Sequence, residues 1–178
     1  MRDIFNQADA ALDIFRSFEM ILSDKADDNG EALRFVGEKL DSWRKITGRL
    51  AGPELPVIHS GFIISLENAL IHGNNAVSDI RRFNIGADTH VSGAVGKMRE
   101  LMEAVCRLLR SGKKMERLVM MRKNCAEIMK DLRVAFMEAE KNGSVPFIIK
   151  KQAVYRSLEE AGASIGRCCD LIPGIIMR

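Results

Sequence analysis

Apolar residues recur every three or four positions along almost the whole chain, the spacing that lines one face of an α-helix rather than alternate faces of a strand. The first stripe, Ile4, Ala8, Ala11, Leu12, Phe15, Phe18 and Leu22, predicts a helix from Asp3 to Ser23 with Asp3 as its N-cap. A polar stretch from Asp24 to Gly30 interrupts it. Leu33, Val36, Leu40, Trp43 and Leu50 then predict a second helix, ended firmly by Gly52-Pro53-Glu54-Leu55-Pro56. A third is expected from Val57 to Phe83, with Ile58, Phe62, Leu66, Leu70, Val77 and Ile80 turned inward. Gly61 and Gly73 either weaken that helix or let another come close.

Asn84 to Asp88 forms the centre of the chain, with Gly86 as a terminator. A fourth stripe follows in Val91, Val95, Met98, Met102, Val105 and Leu109. The fifth carries Met115, Leu118, Met121, Cys125, Met129, Leu132, Phe136 and Ala139 before Asn142-Gly143 stops it. The phase almost continues through Ser111-Gly112, but an unbroken helix of about 50 residues would reach roughly 75 Å. That is too long for this domain, so a break is expected at Ser111-Gly112. Pro146 sits near the first turn of the last helix, as its missing N–H allows. Ile149, Ala153, Tyr155, Leu158, Ile165 and Cys169 follow on its stripe before Pro173.

Six helices in two sets of three result, and the second and third repeat as the fifth and sixth about 84 and 88 residues later, which suggests an internal duplication. The expected fold is all-α: six antiparallel helices forming two three-helix bundles side by side, with the second helix facing the fifth. Residues 1–178 make one domain, 1–85 its first half and 86–178 its second. Surplus apolar positions beside the stripes, Ile63, Ile64, Val119, Met120 and Met137, suggest a homodimer.

Composition narrows the class. With 47% hydrophobic and 29% charged residues the chain is globular rather than disordered. No window of 18 uncharged apolar residues is present, and Met1-Arg2-Asp3-Ile4-Phe5 does not read as a secretory signal. Cys106, Cys125, Cys168 and Cys169 form no CxxC, so reduced thiols and a cytoplasmic location are expected. Charge is uneven: residues 1–88 carry 10 basic and 14 acidic side chains, residues 89–178 carry 17 and 10. The basic surplus of the second half favours an anionic partner.

Candidate chemistry is sparse. His59, His72 and His90 form no HExxH, the run Gly93 to Lys97 lacks a phosphate-loop spacing, and no serine sits in a nucleophile elbow. The cysteines fall on or beside apolar stripes, where a thiol is inert. The reading is therefore non-catalytic. Arg107, Arg110, Lys113, Lys114 and Arg117 cluster around the expected break and could meet phosphate groups of an anionic lipid or a nucleic acid. No aromatic residues interleave with them, so there is no strong case for nucleic acid.

The last helix is more specific. Ile149, Lys151, Tyr155, Leu158, Glu159, Asp170 and Ile175 resemble the closing helix of the PhoU-like family, which is all-helical and tied to inorganic phosphate transport. Six helices and a proline turn after the second extend the resemblance over the chain. It implies a non-catalytic accessory or regulatory protein acting on a protein partner, a phosphate permease or a signalling kinase. Any membrane contact would be peripheral, through the transporter. In that family E-x-x-x-D motifs on the second, third, fifth and sixth helices bind metal, carboxylates four apart sharing one face. Here those positions read Gly37/Asp41, Glu67/Ile71 or Ile71/Asn75, Met121/Cys125 and Glu159/Ala163. Asp41, Glu67, Asn75 and Glu159 are the remnants, and Cys125 and His72 are softer donors that could rebuild a zinc site with Cys168 or Cys169. With no pair intact, no bound metal and no cofactor is expected.

Overall fold

The computed structural model describes residues 2–23, 31–50, 56–112 and 116–177, and among them there is no strand. Six helices follow in order: α1 (Arg2–Ser23), α2 (Glu31–Leu50), α3 (Val57–Arg82), α4 (Thr89–Ser111), α5 (Glu116–Asn142) and α6 (Val145–Ile176). They form two interacting three-helix bundles, α1–α3 and α4–α6. The apolar stripes become the core as expected, with Phe15, Phe18, Phe62, Leu66, Leu70, Met98, Met102, Leu132 and Leu158 fully buried. Each such side chain contributes about 1.5–3 kcal/mol of transfer free energy.

The bundles join through α1 against α4 and, most extensively, α3 against α6. Asp9 meets Arg110, Arg16 meets Glu103 and Glu19 meets Arg99, so α4 descends as α1 rises. The thiol of Cys168 on α6 donates to the Phe62 carbonyl of α3. The helices α1, α3, α6 and α4 thus close a four-helix centre, as an approximate two-fold relation between the halves would arrange them. α2 packs on α1 and α3, and α5 on α4 and α6. The expected face-to-face pairing of the second and fifth helices is therefore incorrect: they stand on opposite edges. Periodicity reveals which face of a helix is buried but not which neighbour buries it.

Two glycines bear directly on this packing. A Cβ on Gly73 would lie 2.7 Å from the Phe18 ring, so its absence lets α1 lie close on α3. Gly112 adopts φ 59°, and its N–H bonds to the Leu108 carbonyl at 3.0 Å. This left-handed cap ends α4 where the break was expected.

Other expectations are corrected. Asp3 lies inside the first turn of α1 rather than capping it, where a carboxylate still favours the helix dipole. Pro173 does not end α6, which runs on to Ile176 because Ile172 and Ile175 remain buried on both sides of the proline. Ile149 is exposed, since the position seven residues before Leu158 is Lys151 and not Ile149. Ile63 is buried core rather than surplus surface, whereas Ile64, Val119, Met120 and Met137 are exposed. The polar break 24–30, most of the proline turn and Met115 lie outside the described residues. No described helix is long and apolar enough to cross a membrane.

Candidate functional site

Charge concentrates along the α1–α4 seam. Asp9, Arg16 and Glu19 of α1 and Arg110, Glu103 and Arg99 of α4 carry alternating signs along the seam, and the antiparallel register sets each opposite its counter-charge. Glu103 is the hub, accepting from Arg99 at 2.9 Å and from Arg16 and Arg107 at 3.3 Å. Burial works to raise its pKa, but the Arg16 hydrogen bond and the Arg99 charge outweigh it and hold the carboxyl below its usual range. Glu19 pairs with the same Arg99 at 2.7 Å, and Asp9 with Arg110. Part of the acidic surplus of the first half is thus matched inside the molecule by the basic surplus of the second.

Asp9, Arg16, Glu103, Cys106, Arg107 and Arg110 border an open cleft of about 360 Å³ on this seam. Cys106 lies at its edge, buried, and burial together with the Asp9 charge pushes its thiol up to about 12. It stays protonated at neutral pH and is a poor nucleophile. The guanidinium groups around the cleft already face carboxylates, so the cleft presents paired charge.

A second polar constellation ties the start of α4 to α6. Asp88 caps α4 by accepting from the Val91 N–H at 2.9 Å, and its other oxygen accepts from Tyr155 at 2.7 Å and Lys151 at 2.9 Å. Burial alone would raise the Asp88 pKa, but Lys151, the Val91 N–H and Tyr155 together lower it. Burial and then Asp88 raise the Tyr155 phenol. Lys151 also lies over the Phe147 ring, 5.1 Å from its centroid. Sequence reasoning placed Tyr155 on the apolar stripe of the last helix and noticed Lys151 only through a family resemblance. The usable signal was Asp88 three residues before Val91, an N-cap spacing.

The expected metal positions are dispersed. Asp41 is exposed on α2. Glu67 on α3 pairs with Arg44 at 3.5 Å beside a cleft of about 180 Å³. His72 is half-buried and Asn75 exposed on the same helix. Glu159 on α6 pairs with Arg133 of α5 at 3.1 Å. Cys125 is buried between α5 and α6 beside Cys169, whose thiol is kept protonated by its interaction with Cys125 and then by burial. Cys168 turns instead to the Phe62 carbonyl. Among the described residues no three His, Cys, Asp or Glu side chains converge as a metal site would require.

Of the basic cluster, Lys113 and Lys114 lie outside the described residues. Arg107 and Arg110 are exposed but paired with Glu103 and Asp9, and Arg117 is exposed at the start of α5. The patch is thus partly neutralised by its own neighbours. No protein family, curated protein or solved structure matches the chain.

Proposed function

We propose that the chain is a non-catalytic, PhoU-like accessory protein of inorganic phosphate transport, acting at the cytoplasmic side by contact with a protein partner such as the permease or a signalling kinase. The double three-helix bundle, with first, second and third helices of one half matched by those of the other, is the observation that supports this reading. The C-terminal resemblance supports it as well. Its polar members serve here as ties between helices: Lys151 and Tyr155 to Asp88, Glu159 to Arg133, and Asp170 to Arg122. On this reading the scaffold is retained while the carboxylate pairs are lost, and regulation proceeds through surface contact without a metal cluster.

The test is genetic. Deleting the gene in its native cell and measuring labelled phosphate uptake, in replete and starved medium, should show uptake that no longer falls when phosphate is plentiful. Unchanged uptake under both conditions would overturn the reading.

A further inference from the structure

All four cysteines are free thiols, and the fold brings two of them together. The register of α5 on α6 decides which. A Cβ on Gly162 would lie 3.8 Å from the Ile128 side chain, and one on Gly166 would lie 3.9 Å from the Cys125 Cβ and 4.0 Å from its sulfur. One turn further along, Asp170 pairs with Arg122. Cys169 stands between these contacts, three residues beyond Gly166 on the same face of α6 and next to Cys125. The two thiols interact directly. Gly162 and Gly166 carry no side chain to hold α5 away, and cysteines on two helices can bond only where the backbones approach closely. The other thiols are turned elsewhere. Cys168 lies 3.8 Å from the Phe62 carbonyl of α3, and Cys106 lies beside Asp9 on the α1–α4 seam.

We infer that Cys125 and Cys169 form a redox site, oxidised by a hydroperoxide to a disulfide that ties α5 to α6. With hydrogen peroxide, one thiol loses its proton and attacks a peroxide oxygen. The O–O bond breaks, leaving a sulfenic acid and one water. The second sulfur then attacks the sulfenic sulfur. The S–O bond breaks, the hydroxyl leaves with the second thiol proton as water, and the S–S bond forms. Each sulfur gives up one electron, and the peroxide takes both. The surroundings favour this product over a bound cation. Cys125 is 4% exposed and Cys169 1%, and the Asp170 carboxylate opposes negative charge on either sulfur. A cation held by two sulfurs would keep both as thiolates, and among the described residues no group of three His, Cys, Asp or Glu side chains completes a metal site. A disulfide is neutral and adds no charge to the apolar seam. A buried thiol on its own is inert, but a contacting pair has this neutral product open to it. Burial makes the reaction slow, because the attacking thiolate forms rarely. Once formed, the bond locks an edge helix onto its neighbour. The site needs no phosphate-related partner and goes beyond the function proposed above.

The test starts from the purified full chain, fully reduced and then exposed to hydrogen peroxide in native buffer at neutral pH. After alkylation of the remaining thiols, peptide mass mapping should find Cys125 linked to Cys169 within one chain, with a loss of about 2 Da. Cys106 and Cys168 should be alkylated, and dithiothreitol should restore all four thiols. Cys125→Ser or Cys169→Ser should abolish the link, whereas Cys106→Ser should leave it. Far-UV circular dichroism should not change on oxidation. The oxidised chain should melt several degrees above the reduced one, because the bond restrains the unfolded chain. Mapping of the unsubstituted protein stands even where a serine variant fails to fold. Pairing of Cys168 with Cys169, pairing through Cys106, sulfinic acids without a link, or four thiols that all remain alkylatable would each overturn the proposal. So would a link that forms only in denaturant or one that melts the helices. Phosphate uptake is a separate readout, so failure of either proposal leaves the other standing.

Discussion

The helices α2 and α5 occupy equivalent places, each laid on the outer edge of its own bundle, yet their outward faces follow different rules. On α2 the exposed line at positions 31, 34, 38, 41 and 45 reads Glu, Arg, Glu, Asp, Lys, with Arg34 and Glu38 paired at 3.1 Å. That line is a solvated face of mixed charge, with the exposed Phe35 and Ile46 beside it rather than on it. On α5 the corresponding line alternates lysine with valine, alanine and methionine. Folding places no apolar demand on that side, because the inner stripe of α5 already supplies the packing. Where two similar bundles share an architecture, the surface that departs from the common requirement is the one to examine for a partner.

The inner faces differ as well, and here the largest effects are expected. α2 rests on one large side chain, Trp43, which is 2% exposed, flanked by Val36 and Leu40. α5 spreads its anchorage over Ile128, Leu132, Met121 and Leu118. Trp43→Ala should cost about 3–5 kcal/mol in urea unfolding. Met121→Ala, at the periphery of a distributed anchor, should cost less, about 2–3 kcal/mol. Equal losses would show that α2 and α5 are held alike and weaken the contrast.

Next in size is the tie at Asp88, which joins the start of α4 to α6. Asp88→Ala removes an N-cap and leaves Lys151 and Tyr155 without their acceptor, an expected loss of about 2 kcal/mol. The tie also sets a pH dependence. The folded pKa of Asp88 is lowered, so its contribution is fully present above the unfolded carboxylate value and is lost as pH falls through the folded one. Asp88→Asn should therefore flatten the acid limb of a stability-against-pH curve. An unchanged limb would show that other carboxylates, such as Glu103, carry the acid sensitivity.

These residues also mark what was legible in the sequence. The stripes through Phe15, Phe62, Met98 and Leu132 were readable because burial on a helix repeats with its turn. The break at Gly112 was readable because glycine ends helices in a left-handed turn. Neighbour relations were not, since α1 and α4 meet through residues such as Asp9 and Arg110, about a hundred positions apart. The charge imbalance therefore pointed outward to a partner when part of it is resolved within the chain. Family-motif positions gave little guidance to a site, because Glu67 and Glu159 each face an arginine rather than each other. The outer stripe of α5 was visible only as surplus at Val119, Met120 and Met137. Recognising it as a face required knowing which side of α5 packs on α4 and α6.

A smaller effect bears on the link between α4 and α5. Gly112→Ala forces a Cβ into φ 59°, although the nearest side-chain atom, on Ile176, would sit at an ordinary 3.5 Å. The cost should therefore be backbone strain alone, about 1 kcal/mol. A loss several times larger would mean that the α4–α5 turn is packed more tightly than that contact indicates.

The smallest expected effect is the most direct test of the comparison between the two edge helices. Val134→Glu with Met137→Gln gives α5 an outward face like that of α2, and both positions are exposed. If these side chains serve no structural purpose, stability should change by no more than about 0.5 kcal/mol. Arg34→Ala on α2 should cost a similar amount, about 0.2–0.5 kcal/mol, because an exposed pair one turn apart is weakly coupled. Equivalent small numbers from chemically different faces would show that neither surface is needed for folding. A loss above about 2 kcal/mol from the α5 substitutions would instead mean that Val134 and Met137 are packed in the folded protein. The contrast between α2 and α5 would then be one of burial and not of surface chemistry.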